Sequence, residues 1–133
     1  MPTELQVPIA SEADIVTARQ KGRELAASTG FSGTEQTLIA TAISEIARNI
    51  VTYAKRGEIH LSALQEAGRR GVLVVARDDG PGISDPQLAM QDGYSTAKSL
   101  GLGLPGAKRL MDEFDLATAP GKGTTVTMKK WVR

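Results

Sequence analysis

The segment Ala76-Arg77-Asp78-Asp79-Gly80-Pro81-Gly82-Ile83 sets a carboxylate and two glycines directly behind the apolar run Val72-Leu73-Val74-Val75. That run is β-branched enough to read as a buried strand, so Asp78 arrives at a strand end, where ligands commonly sit. The spacing Asp78-x-Gly80-x-Gly82 suits a purine. A carboxylate accepts from an exocyclic amine, and glycines without Cβ let the backbone turn sharply and approach the base. Adenine presents such an amine; guanine presents a carbonyl oxygen at the same place. Asp-Gly and Pro-Gly are also ordinary turn pairs, so alone the segment fits a plain strand end as well. Asp79 falls on the opposite side of the strand and reads as a turn cap.

Glu45 and Asn49 form a second polar group. They are four residues apart on a segment whose apolar positions Leu38, Ile39, Ala42, Ile43, Ile46, Ile50 and Tyr53 recur at helical spacing. The two therefore point the same way, at the margin of the apolar face and nearer to Ala42 and Ile46 than to Thr41 and Arg48. Hydrogen bonding to nearby backbone is one reading of such a pair. The other is a magnesium ligand and a general base on one wall of a nucleotide pocket. Magnesium keeps an octahedral oxygen shell filled mainly by phosphates and water, so the neutral oxygen of Asn49 can be its one direct protein ligand. Glu45, one turn away, can take a proton from an attacking hydroxyl or water.

Further on, Leu100-Gly101-Leu102-Gly103-Leu104-Pro105-Gly106 runs into the helical segment Ala107-Lys108-Arg109-Leu110-Met111. Glycine-rich backbone opening a helix presents free N–H groups and the positive dipole end, which suits phosphate oxygens. No parallel βαβ unit precedes it, which disfavours a Rossmann site, and no G-x-x-x-x-G-K-[ST] pattern exists for a P-loop. Before these glycines, Asp92-Gly93-Tyr94-Ser95-Thr96-Ala97-Lys98-Ser99 loses periodicity and reads as a mobile lid, from which Lys98 can reach a terminal phosphate.

The elements that must position these residues follow from pattern. Leu5 to Ile9 alternates around Pro8 and predicts an edge strand. Ser11-Glu12-Ala13-Asp14 resembles a capping box opening a helix of about four turns up to Gly30, with Ile15, Ala18, Gly22, Leu25 and Ala26 as its core stripe. The second helix starts near Ser32 to Thr34 and runs to about Ala54. Two strands, about Glu58 to Gln65 and Arg70 to Arg77, form an antiparallel hairpin through Ala67-Gly68, and the second delivers Asp78. Ser84-Asp85-Pro86 begins a short helical piece. Strands from about Phe114 to Ala119 and Thr124 to Val132 close the chain around Gly121-Lys122-Gly123-Thr124. Trp131 reads as a core plug.

Composition narrows the class. The 133 residues contain no cysteine, which excludes disulfides and thiolate metal sites, and one histidine cannot build a zinc cluster. That residue, His60, falls on the polar side of its strand. Sixteen basic against fifteen acidic residues, with no basic block and five aromatic side chains, argue against nucleic acid as a partner. No apolar run approaches the about 20 residues of a membrane span. One domain, residues 1–133, in the cytoplasm is the expectation.

Each piece is weak alone, but together they stand in a telling order: Glu45-x-x-x-Asn49 on a helix, Asp78-x-Gly80-x-Gly82 after a strand, a lid, Gly101-x-Gly103 opening a helix, Gly121-x-Gly123-Thr124 before the last strand. This order resembles the N, G1, G2 and G3 boxes of the GHKL ATPase superfamily over about residues 5–132. The resemblance implies an α/β fold of the Bergerat type: an α+β two-layer sandwich whose mixed, mostly antiparallel sheet is covered on one face by helices, with ATP and Mg2+ as cofactors. Ala42-Ile43-Ser44-Glu45-Ile46-Ala47-Arg48-Asn49-Ile50, the Gly93-Tyr94-Ser95-Thr96 lid and Leu104-Pro105-Gly106-Ala107-Lys108-Arg109-Leu110-Met111-Asp112-Glu113-Phe114 look like the RsbT-type serine/threonine kinases, relatives of the anti-sigma-factor kinases.

From that resemblance Glu45 is expected to be the catalytic base, Asn49 the magnesium ligand and Asp78 the acceptor for the adenine amine. Gly80, Gly82 and Ile83 would shape the base pocket. Gly101, Leu102, Gly103 and Leu104 would line the phosphates, with Lys98 near the terminal one, and Thr124 would help fix the nucleotide. The implied partners are STAS-domain antagonist and co-antagonist proteins of a stressosome scaffold, phosphorylated on serine or threonine, and a PP2C-type phosphatase that the released kinase activates. Two alternatives stay open: an ATP-gated binding module with secondary catalysis, and a histidine kinase acting in trans. The catalytic half of an ordinary histidine kinase is disfavoured, because no helical hairpin with a phosphoacceptor histidine precedes the domain.

Overall fold

A computed structural model describes residues 4–80, 103–118 and 121–133. Gly82, Ile83, Lys98, Gly101 and Leu102, together with the expected lid and the short helical piece from Ser84, lie outside these residues. The described elements are β1 (Glu4–Ile9), α1 (Glu12–Thr29), α2 (Gly33–Asn49), a π-helical turn (Ile50–Ala54), β2 (Gly57–Glu66), β3 (Arg69–Asp78), α3 (Gly103–Leu110), β4 (Glu113–Thr118) and β5 (Thr124–Trp131).

The five strands form one sheet in the order β1-β2-β3-β5-β4. All four pairings are antiparallel, so the expected two-layer α+β sandwich carries a wholly antiparallel sheet among the described residues. Strand alternation decides its two faces. Val7 and Ile9, Ile59 and Leu61, Val72, Val74 and Ala76, and Val126 and Met128 are buried and meet the helices in one core with Ile15, Ile39, Ile43, Ile46 and Ile50. Each of these buried Val, Leu, Ile and Met side chains contributes about 1.5–3 kcal/mol relative to exposure. This core fixes the height of α2 over the sheet, and with it the position of Glu45 and Asn49.

The helix ends are set locally. Ser32 Oγ accepts from the Glu35 amide at 3.2 Å and starts α2. The capping box at Ser11 is only half made. Asp14 Oδ2 accepts from the Ala10 amide at 2.8 Å, but Ser11 caps no amide with its side chain; a shorter Asp in place of Glu reaches a different donor. Gly30, at φ 111°, ends α1 in the left-handed conformation. At the far side of the fold Lys130, 7% exposed, donates from Nζ to the Leu110 carbonyl at 3.0 Å and so caps the C-terminus of α3 with a cation.

Two sequence expectations are corrected. Tyr53 is 49% exposed rather than part of the apolar face of α2. The coil widens to π geometry after Asn49, so residues beyond Ile50 leave the 3.6-residue phase. Trp131 is buried at 4% exposure, but on the face of the sheet opposite the described helices and outside the core cluster. Its indole N–H donates to Glu113 Oε2 at 2.8 Å, and Arg69 lies 4.2 Å from the ring centroid. His60 stands on the same face, 3.2 Å from Glu58, as the strand alternation predicts.

The β2–β3 hairpin turns through Ala67 at φ 52° and Gly68 at φ 79°. Two left-handed residues are what a type I′ turn demands, and alanine pays steric strain there that asparagine tolerates. Ala67→Asn is expected to raise stability by about 0.5–1 kcal/mol, measured as an increased denaturant midpoint with an unchanged m-value; a lower midpoint would contradict this account of the turn.

Candidate functional site

Asp78 is the last residue of β3 and points to the helix side of the sheet, 8% exposed. Its Oδ1 accepts from the Gly80 amide at 2.9 Å, so this carboxylate, rather than that of the exposed Asp79, holds the turn that follows the strand. Burial pushes the Asp78 carboxyl above its ordinary value; the Gly80 and Thr124 backbone amides pull the other way, and the Asp79 charge adds to the rise. A half-satisfied, acceptor-only group held in a dry corner is a strong magnet for a donor.

The backbone crowds tightly around this residue. A Cβ on Gly123 would stand 2.1 Å from the Asp78 carbonyl oxygen, and Gly123 sits at φ 76°, so only glycine fits there. A Cβ on Gly80 would meet Ala54 at 2.6 Å, and one on Gly57 would meet the Arg77 carbonyl at 2.5 Å. The end of the α2 coil, the start of β2, the end of β3 and the β4–β5 turn therefore converge on Asp78. A cleft of about 470 Å³ opens beside it, lined by Ala54, Arg56, Gly57, Glu58, Arg77 and Asp79.

Thr124 lies opposite Asp78 in the β3–β5 register, and Thr118 lies opposite Thr124 in the β4–β5 register. The three form one row across three strands on the helix side. Thr124 is 6% exposed. Thr118 Oγ1 donates to the Gly123 carbonyl at 3.0 Å and stands 2.9 Å from Thr124 Oγ1.

On α2, Glu45 is 7% exposed and Asn49 is half-buried. Arg48 Nη1 lies 3.4 Å from Glu45 Oε1. Arg48 is half-buried over this pair rather than lying wholly on the outer side of the helix. The π turn begins at the next residue and swings Ala54 against Gly80, which joins the Asn49 end of the helix to the Asp78 end of the sheet. α3 packs on α2 through Leu104, 3% exposed, and Ala107, and its first residue is Gly103. Among the described residues no cluster of three His, Asp or Glu side chains exists that could cage a cation. One neutral amide oxygen at Asn49 is compatible with an ion that keeps most of its water and takes its remaining ligands from phosphate.

Of the sequence-predicted residues, Glu45 and Asn49 thus share one helix face, and Asp78, Gly80 and Thr124 meet at the sheet end. Gly123 also belongs to the same surroundings, together with Ala54, Gly57 and Thr118, which were not singled out by type. Gly123 was legible inside Gly121-x-Gly123-Thr124. Ala54 and Gly57 carry no chemistry, only smallness, and Thr118 is placed solely by the hairpin register.

The direction of the Asp78 shift gives a stability test. A carboxyl raised in the folded state contributes stability that is present below its ordinary value of 3.8 and lost as pH rises through the folded one. Asp78→Asn is expected to be at least as stable as wild type in the ligand-free protein at pH 7. Its advantage should shrink toward zero as pH falls to the ordinary value, read in thermal melts; a variant less stable at pH 7 than at pH 4, relative to wild type, would refute the shift.

Residues 9–130 match the histidine kinase-like ATPase domain. The chain is 50% identical over 127 residues to the serine/threonine-protein kinase RsbT of Bacillus subtilis, covering 96% of each. It is 33% identical over 100 residues to an anti-sigma F factor of Thermoanaerobacter, covering 71% of this chain and 68% of that one. Among solved structures, the RsbU and RsbW domains of a Mycobacterium tuberculosis protein superpose with a TM-score of 0.63 at 25% identity, over 98% of this chain and 32% of that one. The SiaB–SiaC complex of Pseudomonas aeruginosa gives a TM-score of 0.56 at 14% identity over 97% of this chain and 89% of the other, a likeness of fold alone. The four-part order of boxes, the two-layer sandwich and these relatives agree: the chain belongs to the histidine kinase-like ATPase family, within its group of RsbT-type serine/threonine-protein kinases.

Proposed function

We propose that the protein transfers the γ-phosphoryl group of ATP to a serine or threonine of a STAS-domain antagonist protein and, once released, binds and activates a PP2C-type phosphatase in a stress-signalling partner switch. The observation that carries the kinase reading is the burial of Glu45 one helical turn from the half-buried Asn49, at the margin of the apolar face of α2. A nucleotide sensor needs the amide and the aspartate but has no use for a buried carboxylate beside them.

In this reading the adenine amine donates to Asp78, with Gly80 and Gly82 letting the base approach and Ile83 against it. Gly101, Leu102, Gly103 and Leu104 surround the phosphates at the head of α3, where free amides and the helix dipole favour negative charge. Lys98 neutralises the terminal phosphate from the lid. Asn49 holds Mg2+, which supplies charge compensation at the phosphate oxygens when bound. Glu45 accepts the proton of the partner's hydroxyl as its oxygen bonds to the γ-phosphorus, the bond to the β–γ bridging oxygen breaks, and ADP leaves. A kinase of this size recognises its substrate by docking a whole folded partner, for which one face can supply the about 800 Å² of a standard interface. Among the described residues no helix is long and apolar enough to cross a membrane, which accords with a protein acting on such partners in the cytoplasm.

A second reading is favoured by the 3.4 Å pairing of Glu45 with Arg48, which occupies one carboxylate oxygen. In it the ATP site holds a conformation that grips a phosphatase or sigma factor, and catalysis is secondary. One experiment separates the two. Glu45→Ala is expected to lower transfer of labelled γ-phosphate to a STAS-domain protein by about 10²–10⁴-fold while leaving ATP affinity within a few-fold. Equal loss of binding and transfer would remove Glu45 from the role of base, and a wild-type protein that binds the partner without labelling it would favour the gated binding module.

A further inference from the structure

We propose that Thr118 is a positioning residue that sets purine selectivity by fixing the direction in which the Thr124 hydroxyl proton points. The inference rests on the reading above that adenine sits at Asp78, and it concerns a residue two strands away from that carboxylate.

The argument is one of proton counting. The Gly123 carbonyl can only accept, so the 3.0 Å bond between it and Thr118 Oγ1 takes the single proton of the Thr118 hydroxyl. The 2.9 Å contact between Thr118 Oγ1 and Thr124 Oγ1 must then be filled by the proton of Thr124. With that proton committed to β4, Thr124 has only lone pairs left for anything on its other side. The neighbour on that side is Asp78, opposite Thr124 in the register and, once ionised, also a pure acceptor.

The carbonyl that anchors this chain of bonds does not swing. Gly123 is wedged at φ 76° with its Cα against the Asp78 carbonyl, in a conformation closed to other residues. Glycine thus aims the carbonyl, the carbonyl claims the Thr118 proton, and Thr118 claims the Thr124 proton. The row Asp78–Thr124 then offers acceptors only. An incoming amine satisfies them; a carbonyl oxygen at the same place meets lone pairs and stays unpaired, which is the costly outcome for a buried polar atom. Remove the Thr118 hydroxyl and Thr124 is free to turn its proton toward the base, where it can serve a 6-oxo purine.

The test measures dissociation constants of ATP, GTP and ITP with magnesium at pH 8 for wild type, Thr118→Val and Thr118→Ser, with melting curves for each. ITP isolates the 6-position, since it lacks the 2-amino group of GTP. Wild type should prefer ATP, the valine variant should narrow the ATP-to-ITP and ATP-to-GTP ratios by about tenfold, and serine, which keeps the hydroxyl, should restore the wild-type ratios. Thr118→Ala reads the same ratios should the valine variant fail to fold. A preference that survives loss of the hydroxyl, with all nucleotides weakened alike, overturns the inference and leaves the adenine reading standing. A wild-type protein that binds ITP and GTP as tightly as ATP overturns both.

Discussion

The geometry of this protein depends on a close approach of backbone to backbone at the end of β3. Three stretches distant in sequence, residues 54–57, 77–80 and 123–124, meet around Asp78, and a single methyl group would collide at Gly57, Gly80 and Gly123. Close packing of main chain is what leaves a carboxylate buried yet still open on one side. It is also what transmits position, because a segment pressed against its neighbour without intervening side chains cannot drift by the amplitude of a rotamer change. The Glu45–Asn49 end of α2 is registered to the Asp78 corner through Ala54 against Gly80, and the β4–β5 turn through Gly123 against the Asp78 carbonyl.

The helix–sheet core supplies the second level of control. The aliphatic face of α2, from Ile39 through Ile50, is buried without interruption. Sliding the helix by one residue would expose part of that face, so Glu45 and Asn49 are held in register by an energy far larger than any bond they make themselves. The polar pair is carried at the margin of an apolar surface that has no alternative seat. Lys130 does similar service for α3, whose last carbonyls would otherwise end in a buried corner.

Much of this was legible in the sequence because periodicity and glycine spacing report backbone demands directly. The stripe Ile15, Ala18, Gly22, Leu25 and Ala26 is the buried stripe of α1, and the hairpin signal at Ala67-Gly68 fixes the β2–β3 register that delivers Asp78. What stayed hidden follows from long-range geometry. Thr118 and Thr124 are six residues apart around a turn, and nothing in their types says that their hydroxyls meet. Tyr53 obeyed the helical phase until the coil widened after Asn49, an insertion that leaves no compositional trace. Trp131 was read as interior on hydrophobicity alone. Its burial is correct, but the side it occupies depends on strand parity relative to Asp78, set by the pairing with Gly71.

That placement gives the molecule a built-in optical label. Trp131 is the only tryptophan in the chain. It pairs with Gly71, seven positions along β3 from Asp78, which places it about 24 Å from the Asp78 corner at the rise of an antiparallel strand. It also lies on the opposite face, beneath the guanidinium of Arg69. Its emission is therefore set by the packing and charge on the face of the sheet opposite the described helices. A change in that emission during binding would report that something had covered or bent the sheet, and not that a base had entered the pocket.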